Sequence, residues 1–170
     1  MLRQHASVRD RALDLGSPEV REPSLLMLGA ITCLSLEAAL IHLWFTTEHW
    51  MEWWGYGLFF VGCAIGQAVY GPLLLWRRDS VALLHAGIWA NTGVVALYVV
   101  TRIWGIPLGP HAQVVESVGL PDLMSVVSEL LLVVLLVRLL PARHRRVSVN
   151  LLMIVGLLLW ALRLGVGTVL

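Results

Sequence analysis

The sequence predicts an all-α, polytopic transmembrane bundle of five helices, with a four-helix core and a peripheral fifth. Three observations carry that expectation. Hydrophobic residues make up 58% of the chain and charged residues 14%, with a mean hydropathy of +0.80, more apolar surface than a 170-residue soluble domain can hide. Five apolar stretches reach the roughly 20 residues a helix needs to cross a bilayer. Arginine is also sorted to alternate connections, as it is in multi-pass proteins.

The stretches fall at 25–46, 55–76, 81–104, 122–140 and 147–170. Before them, residues 1–24 carry Arg3, Arg9, Asp10, Arg11, Asp14, Glu19, Arg21 and Glu22, too long and too acidic for the leading segment of a signal peptide. They read as a cytoplasmic N-terminal arm. Arg77-Arg78 and Arg143-His144-Arg145-Arg146 share its side, whereas Glu48, Glu52 and Glu116 occupy the other. The positive-inside rule then puts the N-terminus in the cytoplasm and the C-terminus outside. Trp50, Trp53, Trp54 and Trp104 mark the outer boundary and Trp76 the inner one. All 12 basic residues are arginine, yet the net charge is only +1, and nothing in the sequence points to a nucleic-acid partner. Cys33 and Cys63 lie at different depths, against a structural disulfide.

Polar side chains inside a bilayer are costly and usually face the bundle interior, so their spacing points to function. His49, Glu52, Tyr56, Cys63, Gln67 and Tyr70 follow one another at helical steps and are expected on one face of the second helix. Asn91, Tyr98 and Arg102 do the same on the third, and Asp122, Ser125 and Glu129 on the fourth. At a rise of about 1.5 Å per residue, Glu37, Cys63 and Glu129 lie roughly 10–14 Å below the outer boundary, with His42 and Tyr98 above them. The inner half offers only Tyr70, His85 and Asn150. The expected picture is a vestibule open outward and closed below, which argues against a continuous pore.

Imidazoles and carboxylates at similar depth are the donors a transition metal such as Zn, Fe or Cu prefers. The expected metal ligands are His42, His49, Glu52, His111 and Glu129. Glu37, Tyr56, Gln67, Asn91, Tyr98, Arg102, Glu116 and Asp122 form the expected supporting polar network. Such a centre would serve redox or hydrolytic chemistry on a lipid or small apolar substrate. Haem ranks below a non-haem metal because His42 and His85 sit near opposite boundaries. The competing reading of Glu52, Glu116, Asp122 and Arg102 is an interfacial salt-bridge network that locks the outer loops. A non-catalytic subunit or assembly factor, partnered by other membrane subunits or by further copies of itself, is the alternative function. Proton-linked transport through Glu37 and Glu129 is the third.

The run from Thr101 to Pro110, followed by Glu116-Ser117-Val118-Gly119 and Asp122, resembles a group of small, uncharacterised multi-pass membrane proteins of Actinobacteria and related bacteria. In that group the first helix ends in a His and continues into a turn containing His, Glu and Trp, here His42, His49, Glu52 and Trp53. The resemblance spans Ile41 to Leu140. It implies a helical fold in the bacterial cytoplasmic membrane and transfers no catalytic residue.

Overall fold

A computed structural model describes residues 24–167; the N-terminal arm lies outside them apart from Ser24. The described residues form α1 (Leu25–Glu52), α2 (Trp54–Trp76), α3 (Val81–Ile103), α4 (Leu120–Leu139) and α5 (Ala142–Gly167), with no strand among them. All five are long and apolar enough to cross a membrane. The molecule is a multi-pass helical membrane protein, and two ends can be told apart. An arginine end holds the α2–α3 and α4–α5 connections, and a loop end holds Trp53 and the long segment after α3.

The first helix runs six residues beyond the expected Thr46, because nothing between there and Glu52 breaks a helix. The break falls at Trp53, whose extended backbone (φ −165°, ψ 133°) lets one residue end α1 and start α2. His49 and Glu52 therefore belong to α1, which corrects their expected place on the second helix. The fifth helix begins five residues early, directly after Pro141, so Arg143 to Arg146 form its first turns.

With hydrocarbon outside as well as inside, close packing and interhelical hydrogen bonds hold such helices together. Along the α1–α2 pair, Ser35 Oγ donates to the Gln67 carbonyl at 2.6 Å and Thr32 Oγ1 to that of Gly71 at 3.3 Å. Small residues permit this approach: a Cβ on Gly71 would stand 3.0 Å from Thr32 Cα, and one on Gly57 2.8 Å from Trp50 Cα. α3 packs on α4, and the α1–α4 contact joins the two pairs. At the arginine end Leu28, Ile31, Leu74, Leu84, Ile88, Leu132 and Leu136 close into one leucine-rich core.

α2 and α3 scarcely touch despite their short connection. Tyr70 bridges them by donating to the Leu83 carbonyl at 3.2 Å, in space that any side chain at Gly87 would occupy. α5 rests lightly on α3 and α4, with nearly all its side chains exposed, and is the expected peripheral helix.

Candidate functional site

Above the leucine core, at the loop end, the four central helices diverge around a cavity of about 290 Å³. Its walls are largely aromatic: Phe45, Trp53, Tyr56, Phe59, Phe60 and Tyr98 line it. Its closed end is polar, built by His42 of α1 and Glu129 of α4, which are 5% and 0% exposed.

The Ala38 carbonyl, 2.8 Å from His42 Nδ1, can only accept, so Nδ1 carries a proton. Nε2 then faces Glu129 Oε1 at 3.7 Å. With a neutral imidazole and an ionised carboxylate both atoms are acceptors, so a donor or a positive charge placed between them would satisfy both. Glu129 Oε1 accepts from Gln67 Nε2 at 3.3 Å and from Ser125 Oγ at 3.5 Å. Gln67 Nε2 also lies 3.4 Å from Asn91 Oδ1, and Asn91 is fixed by donating to the Gly87 carbonyl at 2.7 Å. Among the described residues, Glu129 Oε2, Gln67 Oε1, Tyr98 Oη and Arg102 Nε are buried without a hydrogen-bond partner. Unpaired buried polar atoms are rare because each costs about 1–3 kcal/mol. Three of the four belong to residues that line this one cavity.

His49 shares the cavity with His42, two turns along the same helix. It donates Nδ1–H to the Phe45 carbonyl at 2.9 Å, and its ring stacks on Phe60 with centroids 3.8 Å apart. Phe60 also lies 5.6 Å from the His42 ring, so it stands beside both imidazoles.

Arg102 closes the cavity's upper side. Its guanidinium donates to Glu116 Oε2 and Asp122 Oδ2, each at 2.7 Å, and lies 4.2 Å from the centre of the Tyr98 ring. Asp122 also accepts from the Gly119 backbone N–H at 3.1 Å, fixing the start of α4. The segment after α3 is folded over the opening: Tyr56 donates to the Leu108 carbonyl at 2.6 Å. Positive φ at Gly105 and Gly109 makes that fold possible, and Tyr56 Oη would stand 2.7 Å from a Cβ on Gly109. The expected outer ion-pair network is thus present in Arg102, Glu116 and Asp122, without Glu52.

The five expected metal ligands do not converge. Among the described residues no group of three or more His, Cys, Asp or Glu side chains is placed to hold a metal ion. His42 and Glu129 meet, and His49 is held against Phe60. Glu52 and His111 line an adjoining, more exposed groove with Glu48, which shares His49, Arg102, Glu116 and Asp122 with the cavity. The physical reason is length: Glu52 lies ten residues beyond His42 on one continuous helix, about 15 Å along its axis.

Glu37 is corrected too. It is exposed on the outer face of α1, because the interior face runs through Leu28, Ile31, Ser35, Ala38, Ala39 and His42. Tyr56, Gln67, Asn91, Tyr98, Arg102, Glu116 and Asp122 do surround the site. Phe60 and Thr101 are site residues that spacing arguments missed. Thr101 stands behind Arg102 and accepts from it at 2.5 Å; a lone phenylalanine or threonine carries no polar periodicity to reveal it. Compared with family models, curated proteins and solved structures, the chain gives no match.

Proposed function

We propose that this chain is a bacterial cytoplasmic-membrane protein whose outward-facing His/carboxylate site binds a small apolar molecule bearing a positive charge. The observation that carries the reading is the acceptor-rich closed end: Glu129 is fully enclosed, and its carboxylate faces His42 Nε2 across 3.7 Å. A cationic group there satisfies both acceptors. The wider charge balance points the same way. Glu48, Glu52, Glu116, Asp122 and Glu129 line the cavity and its adjoining groove, against a single guanidinium, Arg102. Aromatic walls add cation–π attraction worth about 0.5–2 kcal/mol per well-placed ring. Low-dielectric surroundings strengthen every such contact.

The test is binding to the purified protein of a short-chain alkylammonium and of its uncharged hydrocarbon isostere, read by titration calorimetry. The ammonium is expected to bind at least tenfold more tightly, and His42→Ala to remove that preference. Equal binding of the neutral compound sinks the proposal.

The facing acceptors favour a second reading, a transition metal bridging His42 Nε2 and Glu129 Oε1. Metal ligands about 2 Å from a shared ion can stand 3.7 Å apart, and the other positions would be open to substrate or water. Elemental analysis of protein prepared without chelators separates the two. One metal per chain, lost in His42→Ala, selects the metal; its absence leaves the organic cation.

A further inference from the structure

Of the four buried polar atoms without a partner, Gln67 Oε1 alone belongs to a residue that does not line the cavity. Gln67 lines instead a second space, of about 420 Å³, between α2 and α3. Its amide nitrogen faces two acceptors, Glu129 Oε1 and Asn91 Oδ1, so the amide oxygen is turned away from both. The side chain is 8% exposed, and no described residue donates to that oxygen.

The second space is a groove, and its walls are set by the sequence. Leu58, Gly62, Gly66 and Tyr70 follow one another at steps of four on α2, as Ala86, Ala90 and Val94 do on α3. Small residues at such spacing usually let membrane helices close on each other. Here they leave a gap: a Cβ at Gly62 or Gly66 would meet nothing within 4 Å, and the two helices scarcely touch. At the arginine end the Tyr70 bridge to the Leu83 carbonyl closes the groove. Toward the loop end Phe59 and Val94 line both groove and cavity, so the two adjoin there.

Both flanking helices span the membrane, so the open side of the groove faces hydrocarbon. An unfilled gap forfeits dispersion contacts, and a narrow slot walled by Gly, Ala and Leu suits a chain of methylenes. A plain hydrocarbon chain would leave Gln67 Oε1 unpaired. One that ends in an ammonium brings it a donor, beside the Glu129 carboxylate that Gln67 already touches.

We propose that this groove holds the apolar tail of the cavity's ligand, which makes that ligand a single-chain, long-chain amine entering sideways from the bilayer. The inference rests on the reading of the closed end as a cation site. The ammonium lies at Glu129 and His42 and donates one N–H to Gln67 Oε1, and its chain runs out past Gly62, Gly66, Ala86 and Ala90.

Titration calorimetry on the full chain in one detergent, comparing butylammonium with dodecylammonium, tests it. Gly66→Leu fills the groove without a clash and stands outside the cation site. Gly62→Leu, one turn away in equally open space, repeats the test should the first variant fail to fold. Micelle partitioning of the longer amine is common to every protein, so each variant is read against wild type. Either variant is expected to weaken dodecylammonium binding at least tenfold and to change butylammonium binding less than twofold. Ala68→Leu, exposed on α2 outside the groove, is expected to change neither. If butylammonium binds the wild type and a filled groove weakens both amines alike, or neither, this inference falls and the cation site stands. If no ammonium binds the wild type, both fall. A copurified phospholipid or a second copy displaced by Gly66→Leu, with both affinities unchanged, gives the groove to that occupant and overturns the proposal.

Discussion

The two ends of this bundle are built from the same helices and organised by opposite rules. Toward the arginine end, Leu28, Leu74, Leu84, Ile88, Leu132 and Leu136 fill the space between helices. Toward the loop end the same four helices hold His42, Gln67, Asn91, Ser125 and Glu129, all buried, around a cavity with unpaired polar atoms in its wall. The first region commits its side chains to packing. The second gives up packing and hydrogen-bond closure, the usual mark of a site kept available for a ligand.

That contrast breaks if the two halves respond alike to mutation. The largest expected effect on stability is at the packed end. Leu136→Ala or Ile88→Ala, both at 0% exposure, should cost about 2–5 kcal/mol in reversible unfolding in detergent while leaving alkylammonium affinity within twofold. A cost below about 1 kcal/mol would mean the leucine core is not what holds the helices.

Glu129→Gln should show the reverse pattern. It keeps the shape and removes a buried carboxylate, so stability should change by about 0–1 kcal/mol in either direction. Ammonium affinity should fall at least tenfold. A variant that loses stability and keeps affinity would make Glu129 a structural residue.

Arg102→Gln comes next. It strips Glu116 and Asp122 of their shared partner, and because both carboxylates are substantially solvent-exposed, the loss should be about 1 kcal/mol. Faster amide exchange between Trp104 and Gly119, with the four-helix core unchanged, is the expected signature. The smallest effect belongs to Ser80→Ala. Ser80 Oγ accepts the Leu83 backbone N–H at 3.2 Å at the start of α3, and losing that cap should cost about 0.5–1 kcal/mol.

How far each half was legible follows from the same contrast. Polar residues at helical steps stand out against an apolar background, so Tyr98, Arg102, Asp122 and Glu129 were readable as one cluster from spacing and depth. Spacing fails where a helix boundary is misplaced. With α1 taken to end at Thr46, His49 and Glu52 appeared to continue the face of α2. The structure puts them on α1, where ten residues of helix separate Glu52 from His42. Glu37 was misread for another reason: polarity alone does not say which way a side chain turns. A better signal lay in the small residues Ser35, Ala38 and Ala39, which mark where α1 meets its neighbours.

By itself, the sequence determined the number of helices, their order and the crowding of polar groups toward one end. Hydrophobic length and the high cost of charge in hydrocarbon are local properties, readable one segment at a time. Only the tertiary structure decided which polar groups meet. It joined His42 to Glu129 across α1 and α4, set Phe60 beside two imidazoles, and left Glu52 and His111 in an adjoining groove. It also turned Glu37 outward. Those outcomes depend on how each helix is rotated about its axis, and that rotation is fixed by close packing against neighbours from distant parts of the chain.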